Sequence, residues 1–188
     1  MLRFLLALCL LSLPFAAAAQ DVAVTERREA DGTLTLSHEV VVPAPQAEVW
    51  RAISTPAGWM TWAVPVSWTV ENEEDSIEGA YRAAARPGDA DLIRQQFLAR
   101  LPERLLVFRT TRAPAGFPHF ETYARVVTIF ELEPAGEGRT RVRLTGTHYA
   151  DSQAGRQLLG FFRDGNRISL ERLRDRFARG PVDWTRTR

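Results

Sequence analysis

Histidine is the residue best suited to moving a proton near neutral pH, and the chain carries three: His38, His119 and His148. His38 and His148 fall in segments of alternating hydrophobicity, so they are the candidates for an acid or base inside a cavity, with Asn166 or Tyr81 as a hydrogen-bonding partner. His119 stands in Phe117-Pro118-His119-Phe120 and makes a His-x-Glu fragment with Glu121, but the cysteine pair that would complete a zinc-deaminase pattern is missing. No His-x-x-x-His, calcium-loop or glycine-rich phosphate-loop spacing occurs, and no metal or cofactor is expected. No Gly-x-Ser-x-Gly elbow supports a serine nucleophile. All 24 basic residues are arginine. Without lysine there is no Schiff-base chemistry, no phosphate-loop lysine and no Ser-Lys dyad.

The single cysteine, Cys9, lies in an apolar N-terminal run that has one early charge, Arg3, then Pro14 and a small-residue end at Ala16 to Ala19. The run has the build of a secretory signal peptide, with cleavage expected after Ala19 and a periplasmic or secreted destination. It is shorter than the ~20 apolar residues needed to span a bilayer, so no stable membrane insertion is expected after cleavage. A lipoprotein signal is the alternative, disfavoured by the bulk of Leu8 before Cys9. Removing residues 1 to 19 takes Arg3 and no acid from a chain of net charge +1, which leaves a formal charge of zero. No nucleic-acid footprint remains. The remaining chain has no thiol, so disulfides, thiol catalysis and cysteine-bound zinc are excluded there.

Some element has to hold the two histidines. Residues 33–42 alternate Leu34, Leu36, His38, Val40 and Val42 against polar or exposed partners, which is a strand with one buried face. An Asp31-Gly32 turn before it predicts a short hairpin with the residues from Val22. Pro43 and Pro45 end the strand and open a helix with Val49, Trp50 and Ile53 on one side. Thr55-Pro56 opens a second short helix bearing Trp59 and Trp62. Six strands are then expected over residues 66–70, 77–84, 92–101, 105–111, 122–132 and 139–149, in an antiparallel meander because the links are too short for parallel crossovers. The tail from Asp151 to Arg179 reads as a long helix capped by Asp151, with a kink possible at Asp164-Gly165-Asn166. Its other face, including Arg163, Arg167 and Arg172, reads as solvated.

The order makes an α+β fold in which a curved sheet wraps a long C-terminal helix. Residues 1–19 form the leader, 20–32 an N-terminal strand or extension, 33–180 the domain and 181–188 a tail in which Trp184 packs back. The links at residues 86–91, 113–121 and 149–152 are longer and richer in Pro, Gly, Phe and His than those at the opposite end, so the cavity mouth is expected beside them. Strand phase points His38, Phe130 and His148 inward, with Phe162 and Asn166 facing them from the helix. The expected ligand-binding set is His38, Tyr81, Phe117, Phe120, Phe130, His148, Phe162 and Asn166. A hydrogen-bonded core role is the competing reading for each histidine.

The run Val41-Val-Pro-Ala-Pro-Gln-Ala-Glu-Val-Trp-Arg-Ala-Ile-Ser-Thr-Pro-Ala-Gly-Trp59 resembles the opening strand and helix pair of the SRPBCC superfamily, the START and birch-pollen-allergen-like proteins. Pro102-Glu-Arg-Leu-Leu-Val-Phe108 and Glu137-Gly-Arg-Thr-Arg-Val-Arg-Leu-Thr145 fit the later hairpins, and the likeness runs over about residues 33 to 180. It is strongest to the group named after the activator of the heat-shock-protein ATPase, here in an exported form, whose leader separates it from cytosolic chaperones and ATP. The resemblance implies a helix-grip fold with an apolar cavity between sheet and helix, and superfamily members that range from lipid carriers to cyclases and hydrolases. The expected function is to hold an apolar small molecule, a lipid, isoprenoid or polyketide-like ring. The alternatives are a cyclase, dehydratase or hydrolase using His38 or His148, and a module that binds another envelope protein. No oligomeric state is implied.

Overall fold

The computed structural model describes residues 21–186; the leader expected over residues 1–19 lies outside them. Eight strands form one antiparallel sheet: β1 (Ala23–Arg28), β2 (Leu34–Val42), β3 (Val66–Val70), β4 (Glu73–Ala80), β5 (Ile93–Leu101), β6 (Leu105–Arg112), β7 (Val127–Pro134) and β8 (Thr140–Tyr149). Their order across the sheet is β1-β2-β8-β7-β6-β5-β4-β3. The meander from β3 to β8 thus meets the β1-β2 hairpin along β2. Four helices complete the described residues: α1 (Gln46–Ser54), α2 (Pro56–Trp59), α3 (Phe120–Tyr123) and the long α4 (Gln153–Arg179). This is the α+β helix-grip arrangement expected from the sequence.

The period-two reading holds along β2, where Leu36, His38, Val40 and Val42 are all buried. In β6 two phases compete in the sequence, and the structure buries Leu106, Phe108 and Thr110. Leu106 and Phe108 join Phe130 and Leu132 of β7, Val142 and Leu144 of β8 and the α1 residues Val49 and Ile53 in an apolar core. At ~25 cal/mol per Å² of apolar surface removed from water, such a cluster is the main stabilising term of the fold.

Four local expectations are corrected. Ser152 caps α4, accepting from the Gly155 amide at 3.2 Å, while the expected cap, Asp151, pairs with Arg28 and Arg156. The helix runs unbroken through Asp164-Gly165-Asn166, because its ends are anchored by Leu158 and Leu159 on one side and by Leu170 and Leu173 on the other. β4 stops at Ala80 rather than Ala84: the next residues turn, and Arg82 is held there by Asp89 at 2.6 Å and Asp91 at 2.9 Å. Residues 120–123, of which Thr122 and Tyr123 were expected to begin a strand, form α3 after His119 adopts a left-handed conformation at φ 54°.

The tail folds back as expected: the Trp184 Nε1 donates to the Met60 carbonyl at 2.6 Å, and the Val182 amide donates to that of Thr61 at 2.9 Å. Helix α4 packs mainly on β2 and, to a lesser extent, β8, toward one side of the sheet. The concave face over β4, β5 and β6 is therefore not filled by the helix.

Candidate functional site

Between that open half of the sheet and α4 lies a cavity of about 320 Å³. Its volume is at the small end of the range for small-molecule sites. The helix contributes a stripe of Phe162, Gly165, Asn166, Ser169 and Arg172, spaced at three or four residues so that all fall on one side. No residue of α4 between Leu159 and Leu170 is fully buried. Each end of the helix is packed into a core cluster, and the middle faces the cavity. A Cβ added to Gly165 would meet nothing within 4 Å. Glycine inside a helix costs about 1 kcal/mol relative to alanine, and no neighbour requires it here, so its effect is to leave the cavity floor open.

The sheet side is apolar at its base, with Phe108, Phe130 and Leu144, and Trp59 and Trp62 close it from α2 and the loop after it. The two indoles are fixed by their own hydrogen bonds, Trp59 Nε1 to the Ile53 carbonyl at 2.6 Å and Trp62 Nε1 to that of Ala52 at 2.9 Å. At the end nearer the start of α4, Phe117, Phe161 and Phe162 cluster with Tyr123, whose ring stacks on Phe162 with centroids 4.6 Å apart. Phe161 and Tyr81 also line the cavity yet are 60% and 68% exposed, which places them at its rim.

One wall is polar. Thr110 Oγ1 lies 2.9 Å from Gln95 Oε1 and 3.1 Å from the Tyr123 hydroxyl. A threonine hydroxyl has one proton, so donation to Gln95 makes Tyr123 the donor to Thr110. Burial pushes the Tyr123 phenol up to about 12, and burial raises that of Tyr149 as well. Glu78, 4% exposed, is held by Arg94 at 2.9 Å and Arg112 at 3.5 Å. The walls thus offer hydroxyls and amides that can orient a ligand. They offer no imidazole.

Of the residues expected to form the site, Tyr81, Phe117, Phe130, Phe162 and Asn166 are brought together around the cavity. His38, Phe120 and His148 are not among its walls. His38 is fully buried under α4, where its Nε2 donates to the Arg163 carbonyl at 2.9 Å and its Nδ1 has no partner among the described residues. Burial holds its pKa below the ordinary value, with the Arg163 and Arg167 charges adding to the shift and the hydrogen bond opposing it. His148 is exposed. A bulge explains this: Leu34 pairs with Tyr149 but Leu36 with Gly146, and His148 sits at φ 66°. The extra residue moves Tyr149 into the inward position that alternation assigns to His148. Phe120 starts α3 and is not one of the residues lining the cavity. The reading in which a cavity histidine acts as acid or base therefore has no residue to carry it.

Several wall residues were missed by sequence reasoning. Glu78 looks like a surface charge; its sign of burial is Arg94, which pairs directly with it across β4 and β5. Arg172 was assigned to the solvated face of α4 but stands at the edge of the apolar stripe. Thr110, Gln95 and Tyr123 come from three separate elements, and only the folded sheet and α3 join them.

A family model described as polyketide cyclase / dehydrase and lipid transport matches residues 33–178. No curated protein matches the chain. Among solved structures, the solution structure of the Aha1 dimer from Colwellia psychrerythraea superposes with a TM-score of 0.59 at 16% identity, covering 78% of this chain and 97% of that one. CalU16 from Micromonospora echinospora, as a crystal structure, gives a TM-score of 0.56 at 19% identity and covers 88% of both chains. XoxI from Bacillus cereus gives 0.59 at 16% identity, covering 77% of this chain and 96% of that one. At these identities the likeness is one of fold.

Proposed function

The chain belongs to the polyketide cyclase/dehydrase and lipid-transport family, and on that premise we propose that it is an exported protein that holds an apolar small molecule in the cavity between α4 and the sheet. The observation that carries the reading is the middle of α4. Over Gly160 to Ser169 the helix has no fully buried side chain, Phe162 being half-buried against Tyr123, and it keeps glycine at 165, where a side chain would fit. A helix selected only for stability would fill that space, because each buried methylene contributes about 0.8 kcal/mol. The polar wall of Tyr123, Thr110 and Gln95 supplies a few oriented groups within an apolar surround, the usual composition of a small-molecule site.

Native mass spectrometry of protein purified without detergent, followed by solvent extraction, tests the reading. A bound apolar molecule, or saturable binding of the neutral dye N-phenyl-1-naphthylamine, is expected. If the protein carries nothing and binds no such dye, the proposal fails. Export is tested separately by sequencing the N-terminus of protein recovered from the envelope fraction of a Gram-negative host, where Gln20 should be the first residue.

A further inference from the structure

The cavity has a chemical direction. Its end near the start of α4 is a cluster of rings: Phe117 and Phe161 lie with centroids 5.9 Å apart, and Phe161 and Phe162 lie 5.1 Å apart. At the helix rise of about 1.5 Å per residue, Arg172 stands about 15 Å further along the same side of α4. It is the one basic residue lining the cavity among the described residues. The one acid on those walls, Glu78, is already engaged by two arginines, Arg94 and Arg112. Arg172 itself pairs with no carboxylate among the described residues. Its guanidinium carbon lies 6.0 Å from the Trp184 ring, which is anchored in turn on the Met60 carbonyl. The tail thus backs a half-buried positive charge at one end of an apolar chamber, where an incoming anion meets less solvent screening than on an open surface.

Resting on the cavity-binding reading above, we propose that the ligand is an amphiphile with a single carboxylate, its apolar body among Phe117, Phe161 and Phe162 and its carboxylate paired with Arg172. A planar guanidinium matches a carboxylate in shape and in charge. A phosphate monoester, with a charge near −2 at neutral pH, would be left half-neutralised by the same residue. Tyr81 also lines the cavity, and its hydroxyl feels the charge of Arg172.

The test compares acids with alcohols of the same body by displacement of N-phenyl-1-naphthylamine at neutral pH. Dodecanoate against dodecan-1-ol reads an aliphatic ligand, and 2-naphthoate against 2-naphthol an aromatic one. The wild-type protein should prefer the acid at least tenfold in one pair or both. Arg172→Gln should reduce that preference below threefold without weakening the alcohol, and Arg172→Lys should retain part of it. Arg172→Met, which keeps the apolar stem, replaces the Gln variant if the latter does not melt cooperatively. Equal binding of acid and alcohol by the wild type in both pairs, or an undiminished preference in the charge-removing variant, overturns the proposal while leaving cavity binding intact. If the dye and both alcohols also fail to bind, the cavity reading falls and the carboxylate proposal falls with it.

Discussion

The His38 Nε2 donates across 2.9 Å to the main-chain oxygen of Arg163, tying the middle of β2 to the middle of α4. The bond assigns the proton to Nε2 and leaves Nδ1 bare in a place with no partner among the described residues and no exposure of the side chain. His38 is therefore a neutral structural tie: neither it nor Arg163 is a cavity wall, although Phe162 and Gly165 on the same stretch of helix are.

That tie makes stability depend on pH. Folding lowers the His38 pKa from an ordinary value of 6.5, chiefly through burial. Above 6.5 the group is neutral in both states and its contribution is fully present; as pH falls below 6.5 the unfolded chain takes up a proton that the fold resists, and stability declines. Urea unfolding midpoints should drop between pH 7.5 and pH 5, and His38→Leu should flatten that drop. Asp31, Asp89, Asp91 and Asp151 have lowered pKa values from a start of 3.8, so their losses belong to more acidic conditions. An unchanged slope in the leucine variant would refute the assignment.

Gly165→Ala should raise the unfolding free energy by about 0.5–1 kcal/mol, since the added Cβ meets nothing and glycine is the poorer helix former. Gly165→Leu should keep the melting temperature within a few degrees of wild type and weaken N-phenyl-1-naphthylamine binding at least tenfold by filling the chamber. Dye binding that survives the leucine substitution would mean that the dye sits elsewhere.

Gly146→Ala should have the opposite sign. A Cβ there would stand 2.7 Å from the Tyr149 hydroxyl and 2.9 Å from its Cε2, so the ring must move. Overpacking of this kind costs about 1–3 kcal/mol. Tyr149→Phe in the same chain should recover only part of the loss, because the Cε2 clash persists. Differential scanning calorimetry of the two variants decides it.

Tyrosinate absorbance offers a check on the polar wall. All three tyrosines in the chain are raised by burial, Tyr123 to about 12, Tyr149 too, and Tyr81 with the Arg172 charge opposing. No more than one tyrosine should ionise below about pH 11 while the protein stays folded, and Tyr123→Phe should leave that early titration unchanged. The same variant should lose about 1 kcal/mol through the hydrogen bond to Thr110.

Residue order alone was enough for the architecture. Period-two runs mark the strands, Thr55-Pro56 marks the start of α2, and the three-to-four residue spacing of Leu158, Phe162, Asn166, Leu170, Leu173 and Phe177 marks α4. These signals are local, set by backbone geometry and by which face must leave water. The aromatic loop around Phe117 and the helix residues Phe162 and Asn166 could be placed at the cavity for the same reason. The site as a whole could not, because its decisive features depend on pairing between distant segments. A single bulge opposite Leu34 exchanges His148 for Tyr149, and alternation gives no warning of it. Glu78 is buried only because β5 and β6 bring Arg94 and Arg112 to it. Arg172 faces the cavity because α4 leans toward β2 rather than over the centre of the sheet, and that lean follows from how the two packed ends of the helix fit their clusters. Periodicity says which side of a segment is apolar; tertiary packing alone decides what that side meets.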